Sequence, residues 1–232
     1  MNSSAIAVNV SLYSKPGYAM KDLAPILQGP TTPNLITVHP SVKAKTLQEL
    51  IALAKTTPLS YGSSGTGTTP HLDMELLFKT LAKVDITHVP YSPAAAATAV
   101  VGNQVPVGST SMPPAVPHVK SGRLRAIAVT SAKRSGVLPD VPTVGEIKGL
   151  NMAQFEYESW NGVVVAAGTP PEVVQKLSQE LAQVMAMPEV KERLISLGYE
   201  PRTEIREDFG AVIANDFKRF GQVIREAGIK LD

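Results

Sequence analysis

The segment YGSSGTGTTPH, residues 61–71, places glycines and hydroxyl side chains together just before a helical pattern. Pro70 suits the first turn of a helix over 72–83, with Thr69 as its N-cap. Accessible backbone amides, hydroxyls and the positive end of a helix all favour a bound carboxylate or phosphate. The segment therefore predicts an anion-binding loop, whose candidate ligand-binding residues are Ser63, Ser64, Gly65, Thr66, Gly67, Thr68 and His71.

The same segment departs from the nucleotide-binding loops that it partly matches. Gly62 and Gly67 have the spacing of a Walker A loop, but the lysine that would contact the outer phosphates is missing. Pro70 stands where a dinucleotide fingerprint has its third glycine. Both differences disfavour nucleotides, and we expect no cofactor.

Catalytic and metal sites find little support in the sequence. A nucleophile built from Ser63 or Ser64 with His71 lacks the GxSxG pattern, because its flanking glycines are one residue too close together. The four histidines are scattered without paired metal-ligand spacing. We therefore expect no catalytic residue and no metal site.

Two further positions leave alternatives open. Ser109 and Thr110 follow a predicted strand, where such a polar cluster forms either a solvated turn or part of a ligand site. Trp160, the single tryptophan, suits either core packing or the wall of a ligand cleft. We include Ser109, Thr110 and Trp160 among the candidate ligand-binding residues.

Length and charge exclude some classes of protein. The chain has 232 residues, and its 22 Lys and Arg against 20 Asp and Glu leave a net charge of only +2, so nucleic-acid binding is not expected. It contains no cysteine, which excludes disulfides and thiolate metal sites. No apolar run reaches the roughly 20 residues of a membrane helix, and the first residues lack the basic and apolar regions of a secretory signal.

The hydrophobic pattern predicts an α/β fold. Strand-like runs alternate with helical stretches. Thr46 with Glu49, and Thr169 with Glu172, have capping-box spacing, and later helices are expected to begin near Pro188 and to span 206–227. The breaker-rich segment 139–161 predicts a crossing between domains. The predicted strands lie at 33–38, 59–62, 85–89, 104–108, 124–130 and 161–166.

Several segments together resemble one protein family. They are VHPSVKAKTLQELIALAK at 38–55, YGSSGTGTTPHL at 61–72, DITHVPY at 85–91, and a long run at 117–146. AGTPPEVVQKLSQEL at 167–181 and LGYEP at 197–201 continue the match. The chain resembles the periplasmic solute-binding proteins of tripartite tricarboxylate transporters, often called the Bug family.

The resemblance implies a two-lobed periplasmic-binding-protein fold of type II, a Venus flytrap. Residues 1–39 and 159–232 would form one lobe and residues 40–158 the other. It implies no catalysis, a monomer in the periplasm, and capture of a small dicarboxylate or aromatic carboxylic acid for a membrane permease. The 61–71 segment corresponds to the family's cleft loop.

Two departures from the family qualify these expectations. The family's first strand, glycine-rich loop and helix have no counterpart here, which implies that one lobe is incomplete. The alternative is therefore a truncated sensor or interaction domain retained in the cytosol. Thr110 also stands where the family often has an aspartate, which predicts preference for a plain carboxylic acid over an amino acid.

Overall fold

The computed structural model describes residues 2–147 and 155–229, in which strands and helices alternate as the hydrophobic pattern predicts. The strands are β1 (Asn2–Ser3), β2 (Leu23–Val38), β3 (Ser60–Ser63), β4 (Thr87–Pro90), β5 (Val107–Ser111), β6 (Arg125–Val129) and β7 (Glu158–Ala166). The helices are α1 (Ala5–Leu12), α2 (Leu47–Ala54), α3 (Thr69–Met74), α4 (Pro93–Val101), α5 (Met112–Lys120), α6 (Pro171–Ala186), α7 (Pro188–Ser196) and α8 (Arg206–Ala227).

The chain divides into two compact units, Met1–Thr32 with Ser159–Asp232, and Pro33–Glu158. The long strand β2 supplies residues to both units. The lobe limits expected from the sequence, 1–39 with 159–232 and 40–158, stay a prediction. Residues 148–154 of the predicted crossing lie outside the described residues.

The Pro33–Glu158 unit contains a five-stranded sheet in the order β6-β2-β5-β3-β4. The end of β2 runs antiparallel to β5 and β6, whereas β3 runs parallel to both β4 and β5. The carboxyl ends of β3, β4 and β5 therefore share one edge of the sheet, the edge at which open α/β sheets bind ligands. The segment that continues from β3 is the glycine-rich loop.

The other unit pairs β1 with β7 in antiparallel register and packs α1 against α8. Its core contains an apolar cluster beneath these helices. The long helix α8 spans Arg206–Ala227, as the sequence predicts, and ends at Gly228 in the left-handed conformation that favours glycine. The cluster consists of Ile6, Ala7, Trp160, Phe209 and Ile213.

Helix α6 begins differently from its prediction, and several of its apolar side chains are exposed. Its N-cap is Pro170 rather than Thr169, so the expected capping box does not form. Its apolar stripe is also largely uncovered within the described residues, with Leu177 and Val184 37% and 45% exposed. Of its side chains only Ser178 is buried. The helix is amphipathic, but its apolar face is not part of the core.

The described residues include no helix that combines the length and the apolar character that a membrane span requires.

Candidate functional site

The glycine-rich loop leaves β3 at Ser63 and enters α3 at Thr69, with Thr68 rather than the predicted Thr69 as N-cap. Gly65 and Gly67 have φ angles of +121° and +78°, which side chains with a Cβ rarely adopt. Thr68 Oγ1 donates to the carbonyl of Gly65 at 2.7 Å, closing the turn. The two glycines are therefore required by the backbone path, and the amides of Gly65, Gly67 and Thr68 are hydrogen-bonded within the loop and to His71.

Ser63 organises the beginning of this loop. Its side chain is fully buried, and its hydroxyl contacts both the amide and the carbonyl of Gly65 at 3.2 Å. The same hydroxyl is hydrogen-bonded to His88 Nε2 on β4 at 2.7 Å. The Ser–His71 pair that the sequence disfavours does not form at Ser63, whose hydroxyl is instead paired with His88.

Two other serine hydroxyls are buried without a hydrogen-bond partner among the described residues. They belong to Ser64, which follows Ser63 in the loop, and to Ser109 on β5. Ser109 is fully buried and lies in register opposite Ser63 on the neighbouring strand. A buried polar group without a partner costs free energy, so two such groups beside one loop indicate a place for a ligand.

The remaining candidates near the loop have other surroundings. Thr66 is half-buried at the loop tip. Thr110 is buried on β5, and its hydroxyl donates to the carbonyl of Ser111 at 3.1 Å. Ser109 and Thr110 thus belong to a strand rather than to the solvated turn that was one of their two predicted settings.

His71 fixes the other end of the loop. The Gly67 amide donates to His71 Nδ1 at 3.1 Å, so the ring carries its proton on Nε2. The ring is nearly fully buried and stacks on His88 with a centroid distance of 4.0 Å. Burial, aided by the positive charges of His88 and Lys79, lowers the pKa of His71 to about 3. Burial also lowers the pKa of His88 to about 4, so both rings are neutral at pH 7.

Two hydrogen-bonded pairs lie beneath the helix that follows the loop. The Tyr61 hydroxyl donates to Glu75 at 2.9 Å, and burial together with this carboxylate raises the Tyr61 pKa. Asn34 Nδ2 donates to the buried carboxylate of Asp73 on α3. These pairs join α3 and the π-helical segment that continues it, Glu75–Leu81, to strands β2 and β3, which fixes the direction in which the loop enters the helix.

Trp160 belongs to the other unit. It is 2% exposed, packs edge-to-face on Phe209 with centroids 5.1 Å apart, and donates from Nε1 to Asp216 at 2.7 Å. Burial raises the pKa of Asp216 despite the hydrogen bond from Trp160. These are the contacts of a core residue, and a role for Trp160 in a ligand wall stays a prediction.

The structure brings together residues that the sequence did not connect. His88 on β4 contacts the loop through Ser63, and Asn34 on β2 bonds to Asp73 on α3 beneath the helix that follows the loop. The signal for His88 was its place in a strand-like run, one residue before the apolar Val89. Its partnership with Ser63 depends on the parallel register of β3 and β4, which pairs Tyr61 with His88 and which no local pattern specifies.

The loop can hold an anion through neutral donors. Residues 61–71 contain no lysine, arginine or acidic residue, so uncharged groups such as the Ser64 hydroxyl are the donors that this segment can offer. No cluster of His, Asp and Glu suited to a metal ion occurs in the described residues. Carboxylates and similar oxyanions are the ligands that such a donor set accepts.

The chain that contains this loop matches a known protein family. The family model described as "Tripartite tricarboxylate transporter family receptor" matches residues 1–229. The chain belongs to this receptor family. BugT of Bordetella pertussis is 30% identical over 234 residues, a match that covers 99% of this chain and 71% of BugT.

Solved structures of this receptor type have the same fold. The R. palustris protein Rpa4515, solved with adipate, is 31% identical, with a TM-score of 0.89 over 99% of this chain and 77% of that protein. The periplasmic binding protein BugD is 28% identical, with a TM-score of 0.85 over 98% and 77%. MatC of Rhodopseudomonas palustris, solved with malate, is 26% identical, with a TM-score of 0.83 over 96% and 77%. These matches confirm the predicted family and its α/β periplasmic-binding-protein fold.

Proposed function

We propose that this chain is a non-catalytic solute-binding protein that captures a small carboxylic acid in the periplasm and delivers it to a membrane permease. Membership of the receptor family supports transport, and relatives solved with adipate and malate support a carboxylate ligand. A relative described as a periplasmic binding protein supports the compartment.

One observation in this chain supports the binding position. Ser64 and Ser109 have buried hydroxyls without partners in the described part of the chain, and both lie beside the loop that Gly65 and Gly67 shape. A ligand carboxylate has enough acceptor positions to take hydrogen bonds from both hydroxyls. We propose that the hydroxyls of Ser64 and Ser109 hold the carboxylate, with Thr66 and Thr110 at its margin.

The surroundings of the loop also support a plain acid over an amino acid. Neither the loop at 61–71 nor strand β5 at 107–111 contains an acidic residue that could pair with a ligand ammonium group. Burying an unpaired ammonium group would cost several kcal/mol. We therefore expect succinate-like acids to bind more tightly than glutamate.

The test is a thermal-shift screen with adipate, malate, succinate, glutamate and inorganic phosphate, followed by calorimetry on the acids that raise the melting temperature. Ser64→Ala and Ser109→Ala should each weaken carboxylate binding by about ten- to hundredfold, because a hydrogen bond to a charged group contributes about 1.5–3 kcal/mol. Ser121→Ala is the matched control, since Ser121 is exposed and its hydroxyl donates to the carbonyl of His118 in the same unit.

The screen also has outcomes that contradict the proposal. Binding of phosphate without any carboxylate would change the ligand class. Unchanged carboxylate affinity in both Ser64→Ala and Ser109→Ala would place the ligand elsewhere. Tighter binding of glutamate than of succinate would remove the preference for a plain acid.

A further inference from the structure

The glycine-rich loop is held at both ends by a pair of stacked imidazoles. Ser63, at its beginning, is hydrogen-bonded to His88 at 2.7 Å. Gly67, near its end, donates its amide to His71 at 3.1 Å. The two rings lie 4.0 Å apart at an interplanar angle of 26°, so they connect the two attachment points. We call Ser63, Gly67, His71 and His88 the imidazole brace.

The imidazole brace offsets the entropy that is lost when the glycine-rich loop is ordered. Gly65 and Gly67 both have positive φ angles, and glycine loses more backbone entropy than any other residue when it is ordered. A loop with these residues would sample many conformations in isolation. Three hydrogen bonds select one of these conformations: Ser63 Oγ donates to the Gly65 carbonyl and accepts from the Gly65 amide, and the Gly67 amide donates to His71.

The chemistry of His88 suits it to holding the loop rather than to contacting a ligand. Its Nε2 is committed to Ser63, one face of its ring is covered by His71, and Tyr61 lies at a centroid distance of 5.0 Å. The Ser63 hydroxyl is in turn committed to His88 and Gly65. The hydroxyls left for a ligand are then those of the next residue, Ser64, and of Ser109 on the adjacent strand.

We propose that His88 is a positioning residue of the ligand site, which holds the loop in its binding conformation through Ser63 and His71. The expected effect of His88 on ligand affinity rests on the proposed function, whereas its expected effect on the loop conformation does not. It assigns Ser63 and His71 to the brace rather than to direct contact with the ligand.

The decisive variants separate hydrogen bonding from filling space. His88→Leu removes both nitrogens, whereas His88→Gln places an amide near the position of Nε2 and can restore the bond to Ser63. His118→Leu is the matched control, because His118 is also half-buried, lies in the same unit on α5, and has no part in the brace.

The first readout requires no ligand. Native-state hydrogen exchange of the Gly65 and Gly67 amides should become about tenfold faster in His88→Leu, with little change in the amides of β5, and should return towards the wild-type rate in His88→Gln. His118→Leu should leave both loop amides unchanged. Unchanged loop exchange in His88→Leu, or equal acceleration across the whole unit, would overturn the proposal.

The second readout uses whichever acid of adipate, malate and succinate binds the wild-type protein most tightly. Its affinity should fall about tenfold in His88→Leu and recover to within about threefold in His88→Gln. Ser63→Ala, which also removes the contacts with Gly65, should cost less in the His88→Leu background than in the wild type. Additive losses would show that the two side chains act separately. If no acid binds the wild type, the proposed function fails, while hydrogen exchange still decides whether the brace holds the loop.

Discussion

Ser63, Ser64 and Ser109 have the same side chain but different surroundings. The Ser63 hydroxyl has partners on His88 and Gly65, whereas the hydroxyls of Ser64 and Ser109 are buried without one in the described structure. Burial of these two hydroxyls lowers the stability of the unliganded protein. A ligand that hydrogen-bonds to them recovers that free energy on binding. Buried hydroxyls without partners are unfavourable for folding, and they are expected at positions where they bind a ligand.

The buried imidazoles make stability depend on pH. An unfolded histidine takes up a proton near pH 6.5, but burial lowers the pKa of folded His71 to about 3 and that of His88 to about 4. The unfolded state therefore binds more protons below pH 6.5, and the free energy of unfolding should fall as the pH falls from about 6.5 towards 4. The full stability is present above pH 6.5, where both rings are neutral in both states.

His71→Gln tests this dependence. Urea unfolding at pH 7.5, 6.0 and 5.0 should give the variant a shallower fall in unfolding free energy than the wild type, by up to about 1.4 kcal/mol per pH unit below 6.5. The charged groups near His71 are Glu75, at 3.9 Å from Nε2, and Lys79, and both remain in the variant. Parallel pH curves for the two proteins would show that His71 is not the group responsible.

At the scale of elements, β7 approaches α8 closely enough to require a glycine. A Cβ at Gly162 would lie 2.4 Å and 2.8 Å from ring carbons of Phe209, and 3.0 Å from the carbonyl oxygen of Leu27. Phe209 is fully buried beneath Trp160, so its ring has little space into which it can move. The contact between β7 and α8 therefore requires a residue without a Cβ at position 162.

Gly162→Ala should destabilise the protein by about 1–3 kcal/mol, the usual cost of overfilling a packed core. Gly168→Ala is the matched control, because among the described residues no atom beyond its chain neighbours would lie within 4 Å of a Cβ at that glycine. Chemical denaturation of both variants measures the difference. A Gly162→Ala protein as stable as Gly168→Ala would mean that Phe209 adopts another rotamer without cost.

Elements were more predictable from the sequence than the contacts between them. All six predicted strands occur with their limits shifted by a few residues, except that β2 begins at Leu23 rather than at residue 33. Helix caps depend on finer geometry. Thr46 accepts from the Glu49 amide as predicted, but Pro170 replaces Thr169 as the N-cap of α6, because α6 begins one residue later than the motif required.

The composition of the candidate loop can be read from the sequence, but the contacts of its side chains cannot. Glycines and hydroxyls before a helix indicated an anion loop because their chemistry is local. Which hydroxyl is available to a ligand depends on partners such as His88, which reaches Ser63 only through the parallel pairing of β3 and β4. The single-residue register of that pairing is set by tertiary packing, so the sequence alone could not separate Ser63 from Ser64.

At the scale of the whole molecule, charge is nearly balanced. The 22 basic and 20 acidic residues leave a net charge of +2, and the proposed ligand loop contains no charged residue. Attraction of an anion by the overall field should therefore be weak, and binding should depend on short-range hydrogen bonds that salt screens little.

Calorimetry at 50 and 500 mM NaCl tests this expectation with the acid that binds most tightly. Its affinity should change by less than about threefold, because no ion pair with the loop is lost. A fall of more than about tenfold would indicate that a lysine or arginine outside the loop contacts the ligand. Repetition with sodium sulfate would separate screening from competition by a second oxyanion.

The division of the chain into units also sets the order in which the protein can fold during synthesis. The amide of Ser4 donates to the carbonyl of Trp160, and α1 buries Ile6, Val8 and Leu12 in a unit completed only by β7 and α8. Pro33–Glu158 is continuous in sequence and can fold as soon as it leaves the ribosome. Helix α1 packs against α8, so these contacts can form only after the whole of Pro33–Glu158 has been synthesised.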